Sequence, residues 1–186
     1  MKKIYSTDRL VLRTIDTSFT KKVLDYYIRN KEFLEPWEPR REPVFYKPIS
    51  QKKTIRREMD LMNNLSMLRL WIFKKEDTHF QRIIGTVSFS NIVRGCFKSC
   101  FLGYKLDKDE INKGYICEAI ERGIHVMFED YKLHRIEANI IPRNIPSIKV
   151  VTKLGFENEG LSKKYLMING TWEDHYHMVL LNKNME

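Results

Sequence analysis

Three segments rich in β-branched and aromatic residues, 67–74, 82–91 and 97–106, follow one another with only turn-length connections. Nothing else in the sequence constrains the fold as much. The turn signals are Glu76-Asp77-Thr78 and Arg94-Gly95. Connections this short make antiparallel neighbours, because a parallel pair needs a crossover of about a dozen residues or more. Before them, Arg9-Leu10-Val11-Leu12-Arg13 alternates as a strand, and residues 19–30 carry Val23, Tyr26 and Tyr27 at helical spacing. Pro36, Pro39, Pro43 and Pro48 then interrupt regular structure, leaving Glu35-Pro36-Trp37-Glu38-Pro39-Arg40-Arg41 as a loop bearing a large aromatic. Ser50 is the expected N-cap of a helix to about Asn64, with Ile55, Met59 and Met62 along one stripe.

After the three strands the pattern alternates. Residues 114–129 place Ile116, Ile120, Gly123, Ile124 and Met127 on one helical face, and residues 134–140 alternate as a strand. Residues 144–153 have Pro146 in the first turn and Gly155 just past the end, the asymmetry of a short helix. Phe156 onward and residues 171–181 close as a hairpin around Asn169-Gly170, a type I′ signal. The order β-α-α-β-β-β-α-β-α-β-β predicts an α/β (α+β mixed) protein, with helices on the faces of a mixed, mostly antiparallel sheet. No linker, low-complexity segment or repeat interrupts the 186 residues, so residues 1–186 are expected to form a single domain.

Composition narrows the partners. No apolar run approaches the roughly 18 residues of a membrane span, so no membrane association is expected. The basic start Met1 to Ser6 runs into Thr7-Asp8-Arg9 where a secretory signal needs a continuous apolar stretch. The three cysteines, Cys96, Cys100 and Cys117, lack a CxxC spacing and a histidine partner, which predicts reduced thiols, a cytoplasmic protein and no metal. An excess of 33 Lys+Arg over 24 Asp+Glu, a net +9, favours an anionic partner: nucleic acid, a phosphorylated cofactor or a ribosomal surface. The densest cluster, Lys52-Lys53 with Arg56-Arg57, reads as a solvated helix face.

Two segments carry chemistry. Asn112-Lys113-Gly114-Tyr115-Ile116-Cys117-Glu118-Ala119 joins a strand ending near Leu106 to a helix start, where unpaired N–H groups and the positive dipole end suit a phosphate. It matches neither the P-loop nor the dinucleotide fingerprint. The second is Asn144-Ile145-Pro146-Ser147 followed by Lys153-Leu154-Gly155-Phe156. Together they resemble the GNAT N-acetyltransferase superfamily, which transfers acetyl from acetyl-CoA to an amine. The segments 32–39, Ile84-Gly85 with residues 89–95, Leu102-Gly103-Tyr104, His134-Arg135-Ile136 and Gly170-Thr171-Trp172-Glu173-Asp174-His175 narrow the likeness to the RimJ/RimL group, nearest its RimJ branch. The resemblance runs from about Arg9 to Met178.

The resemblance implies a GNAT fold whose sheet splays between the fourth and fifth predicted strands. Residues Tyr104, Lys105 and Leu106 would offer backbone groups to pantetheine, one N–H steadying an oxyanion, and Asn112, Lys113, Gly114, Tyr115 and Ile116 would bind the CoA pyrophosphate. Asn112 stands where the group usually has glycine, and asparagine tolerates positive φ better than other side chains. Asn144 would contact the pantetheine arm or a water, or serve as a plain N-cap. Many relatives place an acidic tyrosine where this chain has Val151; the RimJ/RimL pattern offers Ser147, a cofactor contact and the donor to the departing thiolate. A role as a good first-turn residue competes.

Where relatives carry a glutamate two residues before Gly103, this chain has Phe101, which favours an acceptor needing no strong base. An α-amine of pKa about 7.7–8.0 is roughly a tenth neutral at pH 7, a lysine only about once in a few thousand molecules. Water chains to Glu38, Glu118 or His175 could carry the proton, with Glu118 the catalytic assignment. Bland roles compete: a surface loop for Glu38, a helix-dipole partner for Glu118, an exposed strand for His175. Trp37, Glu38, Asn91, Trp172 and His175 would line the acceptor groove, Trp71 reads as core and Cys117 as structural.

The resemblance thus implies acetyl transfer to a protein N-terminus, the alanine of a ribosomal protein in the RimJ branch, by direct attack in a ternary complex without metal. The expected partners are that protein and acetyl-CoA, with no membrane and no direct nucleic acid, in a monomer or homodimer. Two alternatives stand: the same chemistry on a polyamine or amino-sugar antibiotic, and a basic ribosome- or nucleic-acid-binding module without catalysis. The second leaves the cofactor-loop resemblance idle and lacks any RNP-like aromatic pair.

Overall fold

The computed structural model describes residues 3–186; Met1 and Lys2, which begin the basic start and the predicted single domain, lie outside the described residues. Among the described residues, strands β1 (Ile4–Ser6), β2 (Leu10–Arg13), β3 (Leu68–Lys74), β4 (Gly85–Val93), β5 (Ser99–Leu106), β6 (Arg135–Ile140), β7 (Glu157–Ile168) and β8 (Thr171–Leu181) form one sheet in the order β1-β2-β3-β4-β5-β6-β8-β7. Every neighbouring pair is antiparallel except β5 with β6. Helices α1 (Thr20–Arg29), α2 (Lys31–Leu34), α3 (Pro48–Asn63), α4 (Tyr115–His125) and α5 (Ile145–Lys153) cover its faces.

Strand parity assigns the faces. Leu68, Leu70 and Ile72 of β3, Val87 and Phe89 of β4, Cys100 and Leu102 of β5, and Ile136, Ala138 and Ile140 of β6 point to one layer. Ala119 and Ile120 of α4 and Val151 of α5 complete it. Each fully buried leucine, isoleucine or phenylalanine there contributes roughly 1.5–3 kcal/mol. Gly123 lets α4 approach, since a Cβ there would meet the Phe89 ring at 2.7 Å. On the opposite face Trp71 and Phe73 pack with Val23, Tyr26 and Tyr27 of α1 and Ile55 of α3. On that same face Phe101, Lys105, Glu137, Asn139 and His177 are half-buried and lie outside its core layer.

Local signals fail in identifiable ways. The chain forms one strand more than its pattern predicts, because Ile4–Ser6 pairs with β2 through Ile4↔Arg13 to Ser6↔Val11. Helix α3 begins at Pro48 rather than being capped by Ser50, since the fixed φ of proline suits the first turn and Lys47 supplies the extended cap residue. Strand β4 begins at Gly85, not Arg82: the Asp77 carboxylate accepts the N–H groups of Gln81 and Arg82, at 2.9 and 2.8 Å, and holds that segment as a loop. Asn169 and Gly170 both have positive φ, 51° and 83°, as a type I′ turn requires.

Candidate active site

Pairing between β5 and β6 covers Ser99↔Arg135, Cys100↔Ile136 and Phe101↔Glu137, whereas both strands run on, to Leu106 and Ile140. Beyond Phe101 and Glu137 the sheet therefore parts. The split lies between the fourth and fifth of the strands legible in the sequence, and its two walls face different environments. Leu102, Tyr104 and Leu106 point to the layer of α4 and α5; Gly103 and Lys105 point to the opposite face, where Lys105 Nζ lies 5.4 Å from the ring centroid of Tyr27 of α1.

At the helix-side wall, the Tyr104 hydroxyl lies 2.5 Å from Ser147 Oγ and donates to the Ser147 carbonyl at 3.0 Å. Burial pushes this phenol up to about 12, a direction that the bond to Ser147 opposes without reversing. The hydroxyl therefore stays protonated through neutral pH. Asn144 caps α5 through Oδ1, which accepts the Ser147 N–H at 3.3 Å, so its side chain performs the plain capping role. Val151, where a tyrosine would sit in many relatives, is fully buried in the core. A tyrosine from β5 thus approaches the same serine from a different element, a pairing without any local sequence signal.

The loop from β5 to α4 turns on two residues of positive φ, Asn112 at 60° and Gly114 at 79°, and Gly114 is the N-cap of α4. Asn112, Lys113 and Gly114 are exposed, and Tyr115 and Ile116 half-buried. Asp107, at the head of the loop, has a fully buried side chain and an ion pair to Arg29 of α1 at 2.7 Å. Glu110 pairs with Lys74 and Lys113 at 3.0 and 2.9 Å. Glu118 is saturated: its carboxylate accepts from Thr7 Oγ1 at 2.5 Å, the Arg9 N–H at 3.0 Å and Arg9 Nε at 2.7 Å. Such a carboxylate is a poor proton acceptor, so the geometry moves Glu118 from proton carrier to anchor.

For Asp107, Glu110 and Glu118 burial acts to raise the pKa, yet hydrogen bonds and neighbouring cations outweigh it and hold all three below their ordinary values of 3.8, 4.5 and 4.5. A depressed carboxylate contributes stability that is complete above the unfolded-state value and is lost as pH falls through the folded-state value. The melting temperature is accordingly expected to stay level from pH 7 to about 5 and to fall below about 4.5. Glu118→Gln should shallow that fall; differential scanning fluorimetry across pH 3–8 measures it.

The predicted acceptor residues divide. Glu38 pairs with Lys105 Nζ at 2.5 Å and Arg41 at 3.1 Å, so Lys105 brings its side chain to the acceptor side. Trp37 is half-buried beneath the Arg143 guanidinium, 5.3 Å from the ring centroid. Arg143 also donates to Glu173 at 2.8 Å, and Asn169 Nδ2 donates to the Glu35 carbonyl at 2.9 Å, so the β7–β8 hairpin is tied to the Trp37 turn. Trp172, 55% exposed, stands on that hairpin. Asn91 is not gathered in: it sits exposed on a bulge of β4, four residues past Val87, the partner of Tyr104, which is about 14 Å along a strand. His175 is buried, with Nδ1 3.0 Å from the Glu173 carbonyl.

Sequence reasoning missed His177, Glu137 and Asn139. His177 Nε2 lies 2.7 Å from Ser162 Oγ, Nδ1 lies 3.5 Å from Glu137, and the register sets His177 opposite Asn139. Asn139 Oδ1 is buried without a hydrogen-bond partner. Parity was the available signal: once Ile136, Ala138 and Ile140 face the core, Glu137 and Asn139 must face away.

Residues 9–157 match the family model described as an acetyltransferase (GNAT) domain. The [ribosomal protein uS5]-alanine N-acetyltransferase of Escherichia coli strain K12 is 36% identical over 170 residues, covering 91% of this chain and 86% of the relative. The crystal structure of the ribosomal-protein-S5-alanine acetyltransferase from Vibrio fischeri superposes with a TM-score of 0.92 at 36% identity, covering 99% of each chain. Mycobacterium smegmatis RimJ, in complex with CoA-disulfide, superposes at 0.87 with 26% identity, covering 95% of this chain and 83% of that one. The chain belongs to the GNAT family of N-acetyltransferases. Within that family it is a RimJ-like enzyme, with the family's mixed, mostly antiparallel sheet.

That fold implies acetyl-CoA, and the residues present fit it. An α-helix leaves its first N–H groups without internal partners, and α4 presents them past a residue without a side chain, Gly114. The split beside Tyr104 and Ser147 offers unpaired strand edge to an extended amide-bearing arm. Among the described residues no helix is long and apolar enough to cross a membrane, and no cluster of three metal-ligating side chains occurs.

Proposed function

We propose that this enzyme acetylates the α-amine of a protein N-terminus, an N-terminal alanine of a ribosomal protein being the first candidate, by direct attack within a ternary complex. The observation that carries the reading is the split, with the Tyr104–Ser147 pair beside it on one face of the sheet and the polar side chains of Lys105, Glu137, Asn139 and His177, half-buried, on the other. Acetyl-CoA supplies an activated thioester, whose acyl carbon gains a bond to nitrogen as its bond to sulfur breaks, while one proton of the amine leaves nitrogen and passes through solvent to the departing thiolate. The first-turn N–H groups of α4 and the Asn112–Gly114 loop would hold its pyrophosphate, and the strand edge at Tyr104 to Leu106 its amide arm. Ser147 donates a hydrogen bond toward the departing sulfur, and Tyr104 orients that hydroxyl. Because a thiol ionises near pKa 8.5, a hydrogen bond suffices without a strong acid.

Charge pairing supports this acceptor class. A polyamine needs carboxylates free to meet several ammonium groups. On the face opposite Ser147, Glu38 pairs with Lys105 and Arg41, Glu58 with Arg69, Glu137 with Arg135, and Glu173 with Arg143. These carboxylates already have cationic partners. The similarity to uS5-alanine acetyltransferases supports the same choice. With CoA release as the readout, we expect turnover on a peptide bearing a free N-terminal alanine and none on an N-blocked lysine peptide or on spermidine. Turnover mainly on spermidine would transfer the function to small amines.

A further inference from the structure

The turn between β1 and β2 reaches across the molecule to the cofactor loop. Thr7 Oγ1, which accepts the Leu10 N–H at 3.0 Å, spends its proton on Glu118. Arg9 uses its whole fork: Nε and Nη2 each lie 2.7 Å from Glu118 Oε2, and Nη1 donates to the Lys113 carbonyl at 2.9 Å. Its plane lies over the Tyr115 ring, 4.7 Å from the centroid, and Nη2 would be 3.3 Å from a Cβ built on Gly114. Arg9 therefore touches or borders Lys113, Gly114 and Tyr115 and is anchored one turn further along α4.

We propose that Thr7, Arg9 and Glu118 form a clamp that shapes the phosphate-binding loop, making the β1–β2 turn part of the acetyl-CoA site. The clamp acts where the loop is least held: its first half is a capped turn at Asp107 to Glu110, whereas Asn112, Lys113 and Gly114 are exposed and two of them, one an asparagine, have positive φ. The contacts of Glu118 add to the acid stability described above, but with Arg9 half-exposed the ion pair itself contributes only roughly 0–1 kcal/mol. A planar fork fixed at three atoms, in contrast, sets the orientation of the carbonyl and ring that flank Gly114. These are positioning residues. The inference rests on the proposed placement of the CoA pyrophosphate at this loop.

The test measures acetyl-CoA affinity by calorimetry and steady-state kinetics with saturating acceptor for Arg9→Met, Arg9→Lys, Glu118→Gln and the Arg9→Met/Glu118→Gln double variant. The Kd and KM for acetyl-CoA should each rise about tenfold, with kcat and the acceptor KM changing less than about twofold. Arg9→Lys should fail to rescue, and the double variant should be no worse than either single change, as expected of groups acting as one unit. A fall in kcat at unchanged Kd would return Glu118 to catalysis and overturn the clamp, as would additive losses or full rescue by lysine. Unchanged affinity in the Arg9 and Glu118 variants refutes the clamp while Gly114→Val still loses binding; if Gly114→Val also binds normally, the loop placement itself is refuted.

Discussion

Replacing Gly114 by valine is expected to raise the Kd for acetyl-CoA more than about 100-fold while leaving a folded enzyme. Gly114 caps α4 at φ 79°, where a β-branched residue is a steric outlier costing roughly 1–3 kcal/mol. The new Cβ would also press on Arg9 Nη2, 3.3 Å away, and its methyl groups would stand over the N–H groups that a phosphate needs. Gly114→Ala carries the strain without the branched bulk and should give an intermediate loss. Calorimetric titration with acetyl-CoA reads the affinity, and a thermal melt run in parallel shows whether the fold survives. A valine variant that melts like the parent yet binds acetyl-CoA normally would place the pyrophosphate elsewhere.

The division between what sequence reveals and what it conceals follows the range of the interactions. Helix α5 was legible because Pro146 and Gly155 act on the backbone within a turn of where they stand, and the closing hairpin because Asn169-Gly170 has few alternatives to positive φ. The split was legible only through family resemblance, since no periodicity records where a parallel pair stops. Side-chain pairings over long separations left no trace. Tyr104 meets Ser147 across 43 residues, and Arg9 meets Glu118 across 109. Glu118 read as a dipole partner or a proton carrier because its real partner, Arg9, stands 109 residues earlier in the chain. His175 and His177 share a face, and burial separates the inaccessible ring from the half-exposed one, a distinction that belongs to packing. Asn91 misled because its motif is local, whereas the bulge that turns it away depends on pairing between β4 and β5.

The Ser147 and Tyr104 hydroxyls should behave as one device in the rate of transfer. Each has a single proton. When Tyr104 directs its proton to the serine oxygen or carbonyl, the Ser147 proton is free to point into the split. Ser147→Ala removes the proposed donor to the departing sulfur and should lower kcat roughly 100-fold, within the usual range for a proton or hydrogen-bond donor. Tyr104→Phe leaves the serine in place but unoriented, and a loss of roughly tenfold is expected. The double variant should match Ser147→Ala, because a group without its target has nothing left to orient. Acetyl-CoA affinity should change little in all three. The pH profile supplies an independent check. With Tyr104 held protonated to about 12, kcat/KM for the acceptor should rise as its α-amine loses a proton and then stay level to pH 10. A decline in the parent between pH 8 and 10 that disappears in Tyr104→Phe would mean that the phenol titrates far lower than its burial dictates. Full activity in Ser147→Ala would leave the sulfur served by another donor, with the backbone at the split the first place to look.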